Sequence, residues 1–205
     1  MSDKVKPPCW VIPTEKIPHY GARRLTMGPD AIDMRMALET HGRWEPRTKD
    51  LEDDVNFRQV IPYVVVTNTK TNKFMILERT KEQEEARLHG DICIGAGGHL
   101  ELMDVIAGQS VIEAGTKREL LEEIGFTDDL LQFIGILCVT DPYQPKVHHV
   151  HIGAVYHLMT EREDFGGELE KQKPKWMTRA EVAMLYPRME TWAKIVTADY
   201  LGINA

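Results

Sequence analysis

The sequence has no excess of basic residues, no cysteine framework and no long apolar run. A formal net charge of −7 argues against general affinity for nucleic acid polymers or anionic membranes, since both need a cationic surface. A local basic pocket stays open. The three cysteines, Cys9, Cys93 and Cys138, are odd in number and far apart. That spacing indicates neither a disulfide framework nor a zinc site, and three reduced, buried thiols are expected. No segment approaches the roughly 20 apolar residues of a membrane span, and the N-terminal MSDKVKPPCWVIP has no apolar run before its prolines. A cytoplasmic location follows as the default expectation. Internal repeats and low-complexity tracts are also missing.

What is present is ordinary globular composition, with 42% apolar and 28% charged residues over a 205-residue chain. Residues 1–56, rich in Pro, Arg, Met and acids, read as an N-terminal extension packed on a main domain of residues 57–205. Pro29 and Asp30 are expected to start one helix there, running to His41. From Phe57 the pattern turns β-rich: FRQVIPYVVVTN and NKFMILER, joined by polar residues, predict a hairpin, with Pro62 marking an edge position or a strand start. DICIGAGGHL reads as a strand entering a glycine turn, followed by a helix to Ile124. LLQFIGILCVT and VHHVHIGAVYHL are further strands, and Arg179–Tyr186 and Met189–Leu201 are helical. Strands on both sides of a central helix make a mixed α/β domain.

The stretch KRELLEEIGF crowds Glu119, Glu122 and Glu123 within about 100° of helix surface, with Leu120, Leu121 and Ile124 opposite. Like charges at these spacings repel by a few tenths of a kcal/mol per pair, and acids near a helix C-terminus oppose its dipole. The arrangement costs stability unless a cation sits there. Hard divalent ions are natural partners, because Mg²⁺ takes carboxylate oxygens and keeps positions for water and phosphate; Arg118 could neutralise part of the cluster instead. A solvated acidic face is the plainer alternative. Gly115 lies one turn earlier on this face, where a missing side chain would leave room for a ligand. Upstream, GAGGHLE places Gly95, Gly97 and Gly98 after a strand, a turn able to present backbone groups to a metal or phosphate.

Together these residues resemble the Nudix box of the MutT-like hydrolases. Its second half is matched by Arg118, Glu119, Leu120, Glu122, Glu123, Gly125 and Phe126, and its first half by Gly97 and Gly98 with Glu101 nearby. Between the halves the pattern departs. Asp104 takes the first glutamate position counted from Gly98, yet thirteen residues rather than seven then separate it from Arg118. Counted backward from Arg118, that position is Ser110, so a six-residue insertion within VIAGQSVIEAGT is expected. The wider pattern, from FRQVIPY to METWAKI, is similar to a subgroup of MutT-type phosphoesterases.

The resemblance implies a Nudix α/β/α sandwich with a mixed sheet, hydrolysing a nucleoside diphosphate linked to another moiety. It implies Mg²⁺ or Mn²⁺ held by Glu119, Glu122 and Glu123 with a carbonyl of Gly97 or Gly98, Glu119 doubling as base and Arg118 orienting a glutamate. The partner would be a small nucleotide; homodimers are common in such proteins, and either assembly stays open. The resemblance also implies a further acid or base from outside the box: His149 and His151, on one face of a strand by alternation, are candidates for a catalytic or substrate role, and Glu161 and Glu163 in a polar turn are alternatives. Two alternatives remain: a catalytically silent nucleotide sensor, and an isomerase in which Cys93 handles protons.

Overall fold

The computed structural model describes residues 6–79, 92–126, 130–167 and 172–204. In chain order the strands are β1 (Cys9–Pro13), β2 (Leu25–Met27), β3 (Arg43–Glu45), β4 (Phe57–Asn68), β5 (Lys73–Arg79), β6 (Ile92–Cys93), β7 (Gly95–Ala96), β8 (Leu130–Leu137), β9 (His151–Thr160) and β10 (Gln172–Met177). The α-helices are α1 (Pro29–Thr40), α2 (Val111–Ile124), α3 (Arg179–Leu185) and α4 (Thr191–Asp199). Contacts divide the chain into two compact units. The first holds residues 1–62, 98–116 and 134–154; the second holds 63–97, 117–133 and 155–205.

In the first unit β1 is a hub. It pairs antiparallel with β3 (Trp10↔Trp44) and with the start of β4 (Val11↔Gln59), while β2 pairs antiparallel with the end of β8 (Leu25↔Leu137). Helix α1 begins after Gly28 with Pro29, whose fixed φ suits the first turn. It buries Ala31, Met34, Ala37 and Leu38, the spacing of one helical stripe. Trp10 Nε1 donates to Leu38 O at 3.0 Å, tying this helix to β1.

In the second unit β5 pairs with β10 (Lys175↔Ile76), with the end of β4 (Thr67↔Phe74) and with β6 (Leu77↔Cys93), and β7 pairs with β4 (Val64↔Ala96), all antiparallel. The expected β4–β5 hairpin is present, its turn held by Thr71 N–H donating to Asn68 Oδ1 at 2.8 Å. Thr178 and Glu181 form a reciprocal capping box that starts α3. Helix α4 buries Trp192, Ala193, Ile195 and Val196.

Strands β4 and β9 are neighbours. Gln59 N–H donates to Val150 O in the first unit and Thr69 N–H to Thr160 O in the second, so residue numbers rise together and the two strands run parallel. With the antiparallel pairs this makes a mixed sheet in an α/β chain. Among the described residues no helix is long and apolar enough to cross a membrane. All three cysteines are buried free thiols.

Two expectations about local structure need correction. Pro62 lies inside a strand with partners, not at its edge or start. It falls between the β1-paired residues Phe57–Gln59 and the β7-paired Val64 and Val65, where β4 changes partner and a missing N–H is tolerated. Gly115 does not leave room for a ligand. A Cβ there would sit 2.3 Å from Leu100 Cδ2 and 2.7 Å from Asp104 Oδ2. Both neighbours are buried, and Asp104 Oδ2 is held by the Glu101 N–H at 2.8 Å, so neither can yield easily. An alanine at a helix interior gains about 1 kcal/mol of propensity, whereas overpacking costs about 1–3 kcal/mol. Gly115→Ala is therefore expected to lower the unfolding free energy in urea by about 1 kcal/mol or more; a stabilised variant would show that this packing is looser than described.

Candidate active site

The box helix α2 is defined at both ends by local chemistry. Ser110 caps its start: Glu113 N–H donates to Ser110 Oγ at 3.2 Å and Ala114 N–H to Ser110 O at 2.9 Å. The residues between Asp104 and Ser110 precede the helix, in a turn where Val105 and Ile106 face solvent, and the glutamates lie on one uninterrupted helix. At the other end Gly125 adopts a left-handed φ of 74°. Its N–H donates to Leu121 O at 3.0 Å and that of Phe126 to Leu120 O at 3.3 Å, which satisfies carbonyls the helix itself cannot.

The faces of α2 are not divided as the sequence suggested. Leu120 and Ile124 are buried, but Leu121 is 50% exposed, while Glu119 is only 8% exposed. The buried stripe runs through Ile112, Thr116, Glu119, Leu120 and Ile124. One carboxyl is thus drawn into the helix's inner face, Glu123 is half-buried and Glu122 is exposed.

Within the second unit the box side chains converge. Arg118 Nη1 donates to Glu119 Oε1 and to Glu122 Oε2, each at 2.9 Å. Glu123 Oε2 accepts the Gly97 amide N–H at 2.8 Å, so the glycine turn meets the box through its N–H. Burial, reinforced by the charge of Glu123 and only partly opposed by Arg118, pushes the Glu119 carboxyl up to about 8. Two carboxylates on one guanidinium, with a third held by a backbone N–H, leave an acidic centre rich in oxygen ligands. No three His, Cys, Asp or Glu side chains among the described residues are arranged as a preformed metal cage. An open, all-oxygen site of this kind fits Mg²⁺, which uses one or two carboxylates and completes its shell from water and phosphate.

Glu161 and Glu163 are exposed in the second unit, after β9; the remaining predicted residues lie in the first unit. Gly98 continues the glycine turn. Glu101 and Asp104 cap the short 3₁₀ turn Leu102–Asp104 reciprocally, and Asp104 is buried. His149 and His151 do not share a strand face. His149 ends the 3₁₀ turn Lys146–His149, its Nε2 donating to Asp141 O at 2.8 Å, whereas β9 starts at His151, whose Nδ1 donates to Val147 O at 2.6 Å. Pro145 and the turn it opens break the alternation that periodicity alone extended. His99 was missed. Its Nε2 is 2.8 Å from Gln59 Oε1 and its ring lies edge-on to that of His151 at 5.5 Å. Burial, with Arg47 and His151 adding to it, holds His99 well below the usual histidine range. Its place directly after the glycine pair was the available signal.

The model of the NUDIX domain matches residues 57–200. The chain belongs to the Nudix family. Protein YmaB of Bacillus subtilis (strain 168) is 33% identical over 160 residues, covering 74% of this chain and 75% of that protein. The fold is similar to the crystal structure of Tm1382, assigned to the Nudix hydrolases, with a TM-score of 0.77 and 23% identity, covering 95% of this chain and 98% of that one. As a Nudix protein the chain is a pyrophosphohydrolase of the class that acts on nucleoside diphosphate derivatives, and Nudix enzymes generally use divalent metal ions.

The Glu119 shift has a measurable sign. A carboxyl raised in the folded state carries no penalty below its unfolded value of 4.5 and an increasing one as the pH climbs to about 8. The buried histidines His99, His148 and His157 act oppositely, their penalties appearing below 6.5. Between about pH 6.5 and 8 the Tm of metal-free protein should therefore fall, and Glu119→Gln should flatten that fall. An equal slope in the variant would remove Glu119 as its source.

Proposed function

We propose that this Nudix protein is a Mg²⁺- or Mn²⁺-dependent pyrophosphohydrolase that cleaves the diphosphate linkage of a small nucleoside diphosphate derivative. That class comprises a nucleoside triphosphate, a dinucleotide, ADP-ribose or a nucleotide sugar. The supporting observation is that all three box glutamates are present on one helix end, with Arg118 bridging Glu119 and Glu122 and the Gly97 N–H holding Glu123. We read the enzyme as cytoplasmic, with residues 1–56 an extension of a Nudix domain that spans 57–205.

Exposed Glu122 and half-buried Glu123 would hold the cation, Glu123 being oriented by the Gly97 N–H. When bound, that cation supplies Lewis-acid polarisation of the phosphoryl oxygen and neutralises diphosphate charge. Arg118 fixes the rotamers of Glu119 and Glu122 through charge-assisted hydrogen bonds. Glu119, whose carboxyl is pushed up to about 8 by burial, would accept the proton of the attacking water as the new O–P bond forms and the bridging P–O bond breaks. The box helix is uninterrupted downstream of the expected insertion, which supports the hydrolase reading over a silent sensor. Buried Cys93 is a poor proton handler for an isomerase.

The test is to incubate purified protein with Mg²⁺ or Mn²⁺ and a panel of the four substrate classes, resolving products by mass. One class should be cleaved, and Glu122→Gln should lower kcat by about a hundredfold with the fold retained. An unchanged rate in that variant would sink the assignment.

A further inference from the structure

A second segment closes the end of the box helix. After β9 the chain runs through Glu161 to Gly167, within the same unit as Arg118–Phe126. Arg162 Nη1 donates to Gly125 O at 3.0 Å, and its guanidinium lies 4.7 Å from the Phe126 ring centroid. Gly166 N–H donates to Ile124 O at 3.0 Å. Gly167, at a left-handed φ of 77°, approaches so closely that a Cβ would fall 2.3 Å from Glu122 O and 2.7 Å from Glu123 C. The peptide groups that carry two of the box glutamates therefore have this glycine as their immediate neighbour.

The segment is itself tied down. Asn68 Nδ2, fully buried, donates to Arg162 O at 2.7 Å, and Trp176 Nε1 donates to Glu163 O at 2.7 Å. Phe126, Phe165 and Trp176 form a ladder of stacked rings, with centroids 5.8 and 4.8 Å apart. Arg162 stands on its outer ring. These bonds satisfy carbonyls that a helix C-terminus leaves without intrahelical donors, and they place a cation where the helix dipole is negative.

We propose that Arg162 and Gly167 are positioning residues for the reaction: by clamping the last turn of α2 they set where Glu122 and Glu123 present their oxygens to the divalent cation. The inference rests on the metal-dependent reading above. Arg162 acts through the Gly125 and Phe126 end of the helix, and Gly167 through the Glu122 and Glu123 peptides. Neither needs to touch substrate.

Mn²⁺ titration of substrate-free protein, followed by the paramagnetic resonance of free Mn²⁺, tests this separately from turnover. Wild type, Glu122→Gln, Arg162→Lys, Arg162→Gln and Gly167→Ala are compared, each checked for folding by circular dichroism. Positioning predicts Mn²⁺ affinity lowered on the order of tenfold in both Arg162 variants, as for other groups that orient ligands, with the nucleotide KM at saturating metal little changed. Gly167→Ala should weaken Mn²⁺ binding in the same direction. Arg162→Lys keeps the charge but not the planar stack, so it isolates geometry. Unchanged affinity in Arg162→Lys, or tighter binding in Arg162→Gln through loss of a repelling cation, would overturn the proposal. Wild type that binds no Mn²⁺, or binds as well with Glu122→Gln, would overturn the metal reading itself and this proposal with it.

Discussion

Like-charge repulsion on the last turns of α2 is the constraint around which the site is arranged. Glu119, Glu122 and Glu123 gain nothing from one another, and Arg118 can balance only one of their charges. Burial sharpens the conflict at Glu119, whose carboxyl resists ionisation until near neutral pH or above. A helix with such a terminus needs firm ends, because a frayed last turn would let the charges separate and destroy any shared binding site.

The ends are firm for identifiable reasons. Ser110 caps the start and keeps the preceding turn outside the helix, so the glutamates share one regular helix. Gly125 reverses the chain at the finish with a conformation that a side chain would strain. Gly97 reaches Glu123 through its N–H, and the Arg162–Gly167 segment covers the last carbonyls. The acidic side chains are thus held by Arg118 and the Gly97 N–H, and the end of the helix that carries them by Arg162 and the Gly166 N–H.

Much of this was legible in the chain. The box motif, the hairpin, α1 and the two C-terminal helices follow from turn residues and apolar periodicity. The misreadings share a cause: each concerned which neighbour a residue would meet. Helical periodicity put Leu121 on the core face, yet Glu119 took a buried position because it lies beside Leu120 on the inner stripe. Gly115 looked like space for a ligand, but Leu100 and Asp104 fill it. Alternation carried a strand through His149 because nothing local shows that the turn opened by Pro145 runs to that residue.

By itself the sequence determined the types and order of the chemical groups: oxygen donors spaced for one helix end, a guanidinium among them, and glycines where the backbone must turn. Those follow from residue identity and from the period of a helix, which are local. Tertiary structure alone decided that Glu119 is buried and its carboxyl shifted, that His99 stands against His151, and that Arg162 and Gly167 close the box helix from a distant part of the chain. Desolvation and close approach depend on atoms brought together by folding, and no spacing along the chain encodes them.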